Sequence, residues 1–361
     1  MSNAKEFRDH LLDTMAQQRT KNTGFQHWPI VAVLVIFTAL ASIYSLVFPI
    51  EVDGDEISHF ALVNFIAEHK RPPLTLEERD AIGKKGDASP FYHSLVALLT
   101  QHTDVPDPLQ LPELDLKLER FIPDDGSVPQ HLFHTQDDAF PFHGIALAWH
   151  LARFFSILLG AATIVGIYIV VLAIYPDRRW FALAAACFAA FIPGFVISSA
   201  VVNDDNLLFL LTTFAIYYLI RLAQGDERPR TLIILGVLIG LATLAKYHAI
   251  VLIAVMALLL LQLAWQKKWQ WQTLVRRLGL VFLAFTLTFG WWFVFIVIRF
   301  NRVQELGLVS GVLAALGDPV VASGVDNILK AQSYSLTLDD WLNWAYLTFV
   351  TFWFRSGITY S

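Results

Sequence analysis

The feature that most constrains this chain is a series of apolar runs, each about as long as a bilayer is thick. A hydrocarbon core is crossed by about 20 mostly apolar residues in helical form, within a range near 17–25. The first such run is Pro29–Phe48; others follow at 149–175, 180–201, 206–223, 231–246, 248–265 and 278–299, and a weaker eighth begins near Trp341. Composition agrees: 56% of the residues are hydrophobic and 16% charged, against about 25% charged in a soluble domain. This excludes a disordered chain, and the single cysteine, Cys187, excludes an internal disulfide framework. The predicted fold class is an all-α polytopic membrane protein. Pro29–Phe48 follows a polar lead of 28 residues, longer than a secretory signal carries, so it reads as an uncleaved anchor.

Charge gives the expected orientation. The net charge of −5 divides into −11 for residues 51–148 and +6 for the remainder. Lys5, Arg8, Arg19 and Lys21 precede the first run, and Arg178, Arg179, Arg221, Arg228, Arg230, Lys267, Lys268, Arg276 and Arg277 fall in alternate loops. The positive-inside rule makes that face cytoplasmic. The acidic loop 51–148, the Asn203–Asn206 turn, the Lys246–His248 turn and residues 300–340 then face outward. The expectation is a multi-pass protein of the plasma or inner membrane, amino terminus cytoplasmic and loop 51–148 external or periplasmic. About a hundred residues is too long for a bare connection, and Ile57–His69 and Phe91–Gln101 show helical spacing of apolar residues. Both are predicted to be amphipathic helices lying along the outer interface.

Three polar features stand at the outer ends of the runs. Val52-Asp53-Gly54-Asp55-Glu56-Ile57-Ser58-His59 follows the first. Asp55 is a natural helix cap, and it shares a helical face with His59, four residues on. A carboxylate there can act as a general base or contribute to a divalent cation site. The second is Asn203-Asp204-Asp205-Asn206, a turn-forming sequence on the same face. The third is a set of cations, Arg153, Lys246 and Arg299, which either snorkel to the interface or meet an anionic ligand such as a phosphate. Seven histidines lie in the acidic loop, at 59, 69, 93, 102, 131, 134 and 143. No pair has a zinc-motif spacing, so most are expected to be surface polar residues.

Taken in order, these motifs resemble those of the polytopic GT-C glycosyltransferases, the group with the protein O-mannosyltransferases and the lipid A aminoarabinose transferase (family 39-like). The resemblance is carried by Gly54-Asp55-Glu56-Ile57-Ser58-His59, by the Arg-x-x-Ser of Arg153-Phe154-Phe155-Ser156, and by Phe191-Ile192-Pro193-Gly194 leading to Asn203-Asp204-Asp205-Asn206. It continues in Gly236–Tyr247, with its Gly-x-x-x-Gly-Leu-Ala…Lys-Tyr pattern, and in Gly290-Trp291-Trp292…Arg299. Where close relatives often carry Pro-Pro-x-Tyr-Tyr, this chain has Ser89-Pro90-Phe91-Tyr92-His93.

The resemblance implies a GT-C-like helix bundle over 29–302, including the loop 51–148. It would be preceded by a cytoplasmic segment, 1–28, and followed by 303–361, an external segment and the start of a further membrane or interfacial helix, expected to be truncated. It also implies transfer of a sugar from a polyprenyl-phosphate donor to a glycan, lipid or protein acceptor on the outer face, with no nucleic-acid partner. Asp55, with Glu56 beside it, would be catalytic. Arg153, Lys246 and Arg299 would hold the donor phosphate, and His59, Asp204, Asp205 and Tyr247 would support them. A divalent ion, magnesium or manganese, would sit on Asp55, Asp204 and Asp205 if one is used. A transporter or flippase of lipid-linked sugars and a non-catalytic assembly protein of the same fold are the alternative readings.

Overall fold

The computed structural model describes residues 28–48, 50, 55–83, 85–105, 139–300, 342 and 346. These form an all-helical bundle; no strand occurs among the described residues. Among the described residues, five helices are long and apolar enough to cross a membrane, or six if one bent pair is counted as a single span. The chain is a multi-pass membrane protein.

The first helix, α1 (Trp28–Val47), buries Ile30, Val33, Phe37, Ala41 and Ser45, one stripe at three- and four-residue spacing. After it come three short helices, α2 (Glu56–His69), α3 (Leu76–Ile82) and α4 (Pro90–Thr100). Each end has a local cause. Lys70 closes α2 in the left-handed region (φ 56°), its N–H bonded to the Ile66 carbonyl. Thr75 and Glu78 form a reciprocal capping box on α3. Pro90 occupies the first turn of α4 behind Ser89. Helices therefore occupy the two stretches of predicted helical spacing in the acidic loop. Helix α2 buries residues around most of its circumference, so protein rather than a single lipid face surrounds it. Residues 51–54, 84 and 106–138 of that loop, and the span expected from Trp341 apart from Leu342 and Tyr346, lie outside the described residues.

Helix α5 (Gly144–Ile174) has 31 residues, about 46 Å at 1.5 Å per residue. A hydrocarbon core is about 30 Å thick, so α5 overshoots it. It begins five residues before the apolar run that announced it, and Arg153 stands well inside the helix rather than at its start. Trp149, stacked on Phe60 of α2 at 4.1 Å, and Ala152 are buried in the same cluster as Tyr92 and Val96 of α4.

The run at 180–201 is not one straight span. Helices α6 (Arg179–Ala190) and α7 (Pro193–Ser199) meet at 67°, because Pro193 removes a donor and opens a new helix at its first turn. Next come α8 (Asp205–Ala223) and α9 (Pro229–Ala245), then a 3₁₀ turn (Tyr247–Ile250) leading into α10 (Val251–Gln266). Helix α11 (Trp271–Phe285) passes through a π-helical turn (Thr286–Gly290) into α12 (Trp291–Phe300). Arg276 and Arg277, expected in a loop, lie in the first turns of α11. The guanidinium of Arg277 stacks 3.7 Å from the Trp269 ring and pairs with Glu227 at 2.6 Å, whereas Arg276 is exposed.

Helix α9, at 17 residues, is short for a span. It packs through two glycines: a Cβ at Gly236 would lie 2.5 Å from the Val281 carbonyl oxygen, and one at Gly240 2.7 Å from Thr288 Cβ. Small residues let apolar helices approach this closely.

Candidate active site

The polar ends of α2, α4, α5, α8 and α9 converge at one end of the bundle. At their centre is an ion pair with no exposed side-chain surface on either partner. Arg153 donates from Nε to Glu56 Oε1 and from Nη2 to Glu56 Oε2, both at 2.7 Å. Its Nη1 donates to the carbonyls of Ser45 and Phe48 at 2.8 and 2.7 Å. Glu56 Oε1 also accepts the Val202 N–H at 2.8 Å. This cluster joins the exit of α1, the start of α2, the body of α5 and the turn before α8. Such bidentate, charge-assisted bonds are the stronger kind.

Asp55, one residue before Glu56, has the opposite environment. Its carboxylate is half exposed and lies 3.6 Å from Lys85 Nζ. The two acids expected to act together are therefore divided between a surface and a core position. Across the site, Lys246 Nζ donates to Asp205 Oδ1 at 2.6 Å and stands 3.4 Å from Asp204 Oδ1. The turn is shaped by Asn203, whose side chain accepts the Asp205 N–H. A cavity of about 200 Å³ opens here, lined among others by Lys85, Ser89, Asp204, Thr243, Lys246 and Tyr247. The Tyr247 hydroxyl accepts from Trp292 Nε1 at 3.2 Å. Arg299 is carried on α12, and its side chain lies outside the described residues.

Two of the seven loop histidines, most of which were expected at the surface, are buried: His59 on α2, already a candidate, and His93 on α4. Their rings stack nearly parallel, with centroids 5.3 Å apart. His59, His93 and the buried Asp204 offer donor atoms within 4.8 Å of one another, a set that could coordinate a divalent metal ion. Burial pushes both imidazoles down, His93 to about 4 and His59 well below its ordinary value, and His59 is lowered further by His93, Lys85 and Lys246. Both are therefore neutral at pH 7, the form a metal ligand requires. Beside them Tyr92, whose hydroxyl is 2.8 Å from Ser156 Oγ, is pushed up, chiefly by burial.

Lys85, His93, Tyr92 and Ser156 were not among the sequence candidates. Lys85 left one signal, a lysine pair in a strongly acidic loop. His93 left none at the level of spacing, because its partner His59 is 34 residues away.

With this geometry in place, residues 148–292 match a known protein family. It is described as dolichyl-phosphate-mannose-protein mannosyltransferase. The chain thus resembles the GT-C-like membrane glycosyltransferases. A solved structure, titled "Structure of S. cerevisiae protein O-mannosyltransferase Pmt1-Pmt2 complex bound to the sugar donor", is similar at 20% identity with a TM-score of 0.45; the match covers 75% of this chain and 34% of that one. The chain accordingly spans about a third of the length of that relative. No curated protein matches the sequence.

Proposed function

We propose that this chain moves a sugar from a polyprenyl-phosphate-linked donor to an acceptor at the outer face of the membrane. The observation that carries this reading is the division of charge around one cavity. Lys85, Lys246 and Asp204 line the space a donor phosphate would enter, and the half-exposed Asp55 carboxylate lies 3.6 Å from Lys85 Nζ. The family match over 148–292 supports the same chemistry.

In this reading Asp55 takes the proton from the acceptor hydroxyl or amine as its heteroatom attacks the anomeric carbon. The bond from that carbon to the phosphate oxygen breaks, and the phosphate leaves on its lipid carrier with its negative charge. Lys246, held by Asp205, and Lys85 oppose that charge where it develops. Glu56 and Arg153 act one step back, fixing the backbone that carries Asp55 and the Val202 turn. Tyr247 lines the donor side, and Arg299 is assigned to the same side by its place on α12. A divalent ion on His59, His93 and Asp204 would, when bound, add Lewis-acidic charge beside the cavity. The orientation follows the positive-inside rule. Away from the site, Arg221 and Arg228 pair with Asp226, and Lys267 and Arg277 with Glu227; these residues lie in or beside the loops assigned to the cytoplasm.

The test is Asp55→Asn in reconstituted vesicles supplied with a polyprenyl-phosphate sugar. Loss of a general base costs about 10²–10⁴ in rate, so transfer should fall by at least about a hundredfold while folding is unchanged. Transfer at the unmodified rate would remove Asp55 from the reaction.

A further inference from the structure

His59, His93 and Asp204 bring three buried donor groups within 4.8 Å of one another. His93 Nδ1 lies 3.0 Å from the Ser89 carbonyl. A carbonyl can only accept, so Nδ1 carries the hydrogen and Nε2 presents a lone pair. That lone pair faces His59 Nδ1 at 3.0 Å. A His59 protonated on Nδ1 donates there, and its Nε2 lone pair is then left toward Asp204 Oδ1, 3.9 Å away and beyond hydrogen-bond reach. If it is protonated on Nε2 instead, two imidazole lone pairs oppose each other at 3.0 Å. Asp204 Oδ1 is itself buried and makes no hydrogen bond of good geometry.

A cation among the three would take the His93 Nε2 lone pair, a His59 ring nitrogen and the Asp204 carboxylate together. We propose that His59, His93 and Asp204 form a binding site for a borderline divalent transition-metal ion of the zinc class, with the remaining coordination position on the side where Asp204 lines the cavity. The His93–Ser89 bond is the orienting contact that metal-bound histidines ordinarily make through their other nitrogen. Two of the three donors are imidazole nitrogens, which suit zinc, iron or nickel; magnesium and calcium take oxygen. Tetrahedral zinc with bonds of about 2.1 Å places its ligands about 3.4 Å apart. The 3.0 Å between the two nitrogens and the 4.8 Å bound on the whole set bracket that value. The oxygen-rich alternative, Asp55 with Asp204 and Asp205, does not bring its donor atoms within such a distance of one another among the described residues. Such a site also ties α2 and α4 to the turn before α8, elements far apart in sequence.

The proposal does not rest on the glycosyl-transfer reading, and its test does not use activity. The full chain, purified in detergent with a histidine-free tag, is stripped with a chelator, equilibrated with zinc, freed of excess and assayed for metal. About one zinc per chain is expected, falling to background in His59→Gln and in His93→Gln, each checked for helical content and elution volume. Cobalt bound to the unmodified chain should show the visible absorption of a nitrogen-ligated site, displaced by zinc and not by excess magnesium. This second measurement decides the matter even where a variant fails to fold. Background zinc on the unmodified chain, retention by the folded variants, or displacement of cobalt by magnesium would each overturn the site.

Discussion

Replacing Glu56 by Gln tests whether the buried ion pair organises the site. The change is nearly isosteric and keeps one acceptor oxygen, so the Val202 N–H or Arg153 Nε can still be satisfied. The second oxygen, which now accepts from Arg153 Nη2 at 2.7 Å, becomes an NH₂ pointed at a guanidinium. At about 4 Å between charge centres and an effective dielectric near 20, the lost attraction is about 4 kcal/mol. Removing one partner of a buried pair typically costs about 3–5 kcal/mol; the two figures agree because Arg153 has no exposed surface through which water could replace the carboxylate. The assay is unfolding in mixed micelles titrated with SDS, followed by tryptophan fluorescence; Trp149, stacked on Phe60, reports from the affected helices. Glu56→Gln should lower stability by about 3–5 kcal/mol, and Asp55→Asn, at a half-exposed position, should change it by less than about 0.5 kcal/mol. A loss below about 1 kcal/mol for Glu56→Gln would refute the positioning role and return Glu56 to the catalytic pair.

Gly236→Ala places a methyl group 2.5 Å from the Val281 carbonyl oxygen and should destabilise by about 1–3 kcal/mol. In the same unfolding assay Gly279→Ala, with nothing within 4 Å of its new Cβ, should be neutral or slightly stabilising. Glu78 is held down to about 2, first by its hydrogen bonds from Arg71. Its folded value lies below its unfolded one, so its stabilisation is present above about pH 4.5 and is lost as pH falls toward 2. Amide exchange in Leu76–Ile82, corrected for intrinsic rate, should accelerate over that window, and Glu78→Gln should remove the dependence. In a Cys187→Ser background, a cysteine introduced by Gly126→Cys should react with an impermeant reagent from outside, and one introduced by Arg178→Cys should not; the reverse pattern would invert the topology.

The spans were legible because length and hydropathy decide them locally. The bend at Pro193 and the extension of α11 past Arg276 and Arg277 were harder to see, since each depends on a partner elsewhere: a second short helix in one case, Trp269 and Glu227 in the other. Asp55, Asp204, Asp205 and Lys246 were legible as candidates because each stands at the end of an apolar run. The different environments of Asp55 and Glu56 were not, since the residue that buries Glu56 lies 97 positions away. For the same reason Arg153, expected at the donor phosphate, is found bonded to Glu56.

The contact between Glu56 and Val202 spans 146 positions, which has a consequence for biogenesis. A ribosome adding about 5–20 residues per second needs roughly 7–30 s to cover that interval. Throughout it the Glu56 carboxylate waits at the membrane boundary without its backbone partner, and for most of the first two-thirds without Arg153 as well. The outer end of the bundle can therefore close only after the turn at Val202 has emerged. Helices α2 and α4, made early, are completed late, and during that interval they are the part of the nascent protein most dependent on protection by insertion factors and most open to surveillance proteases.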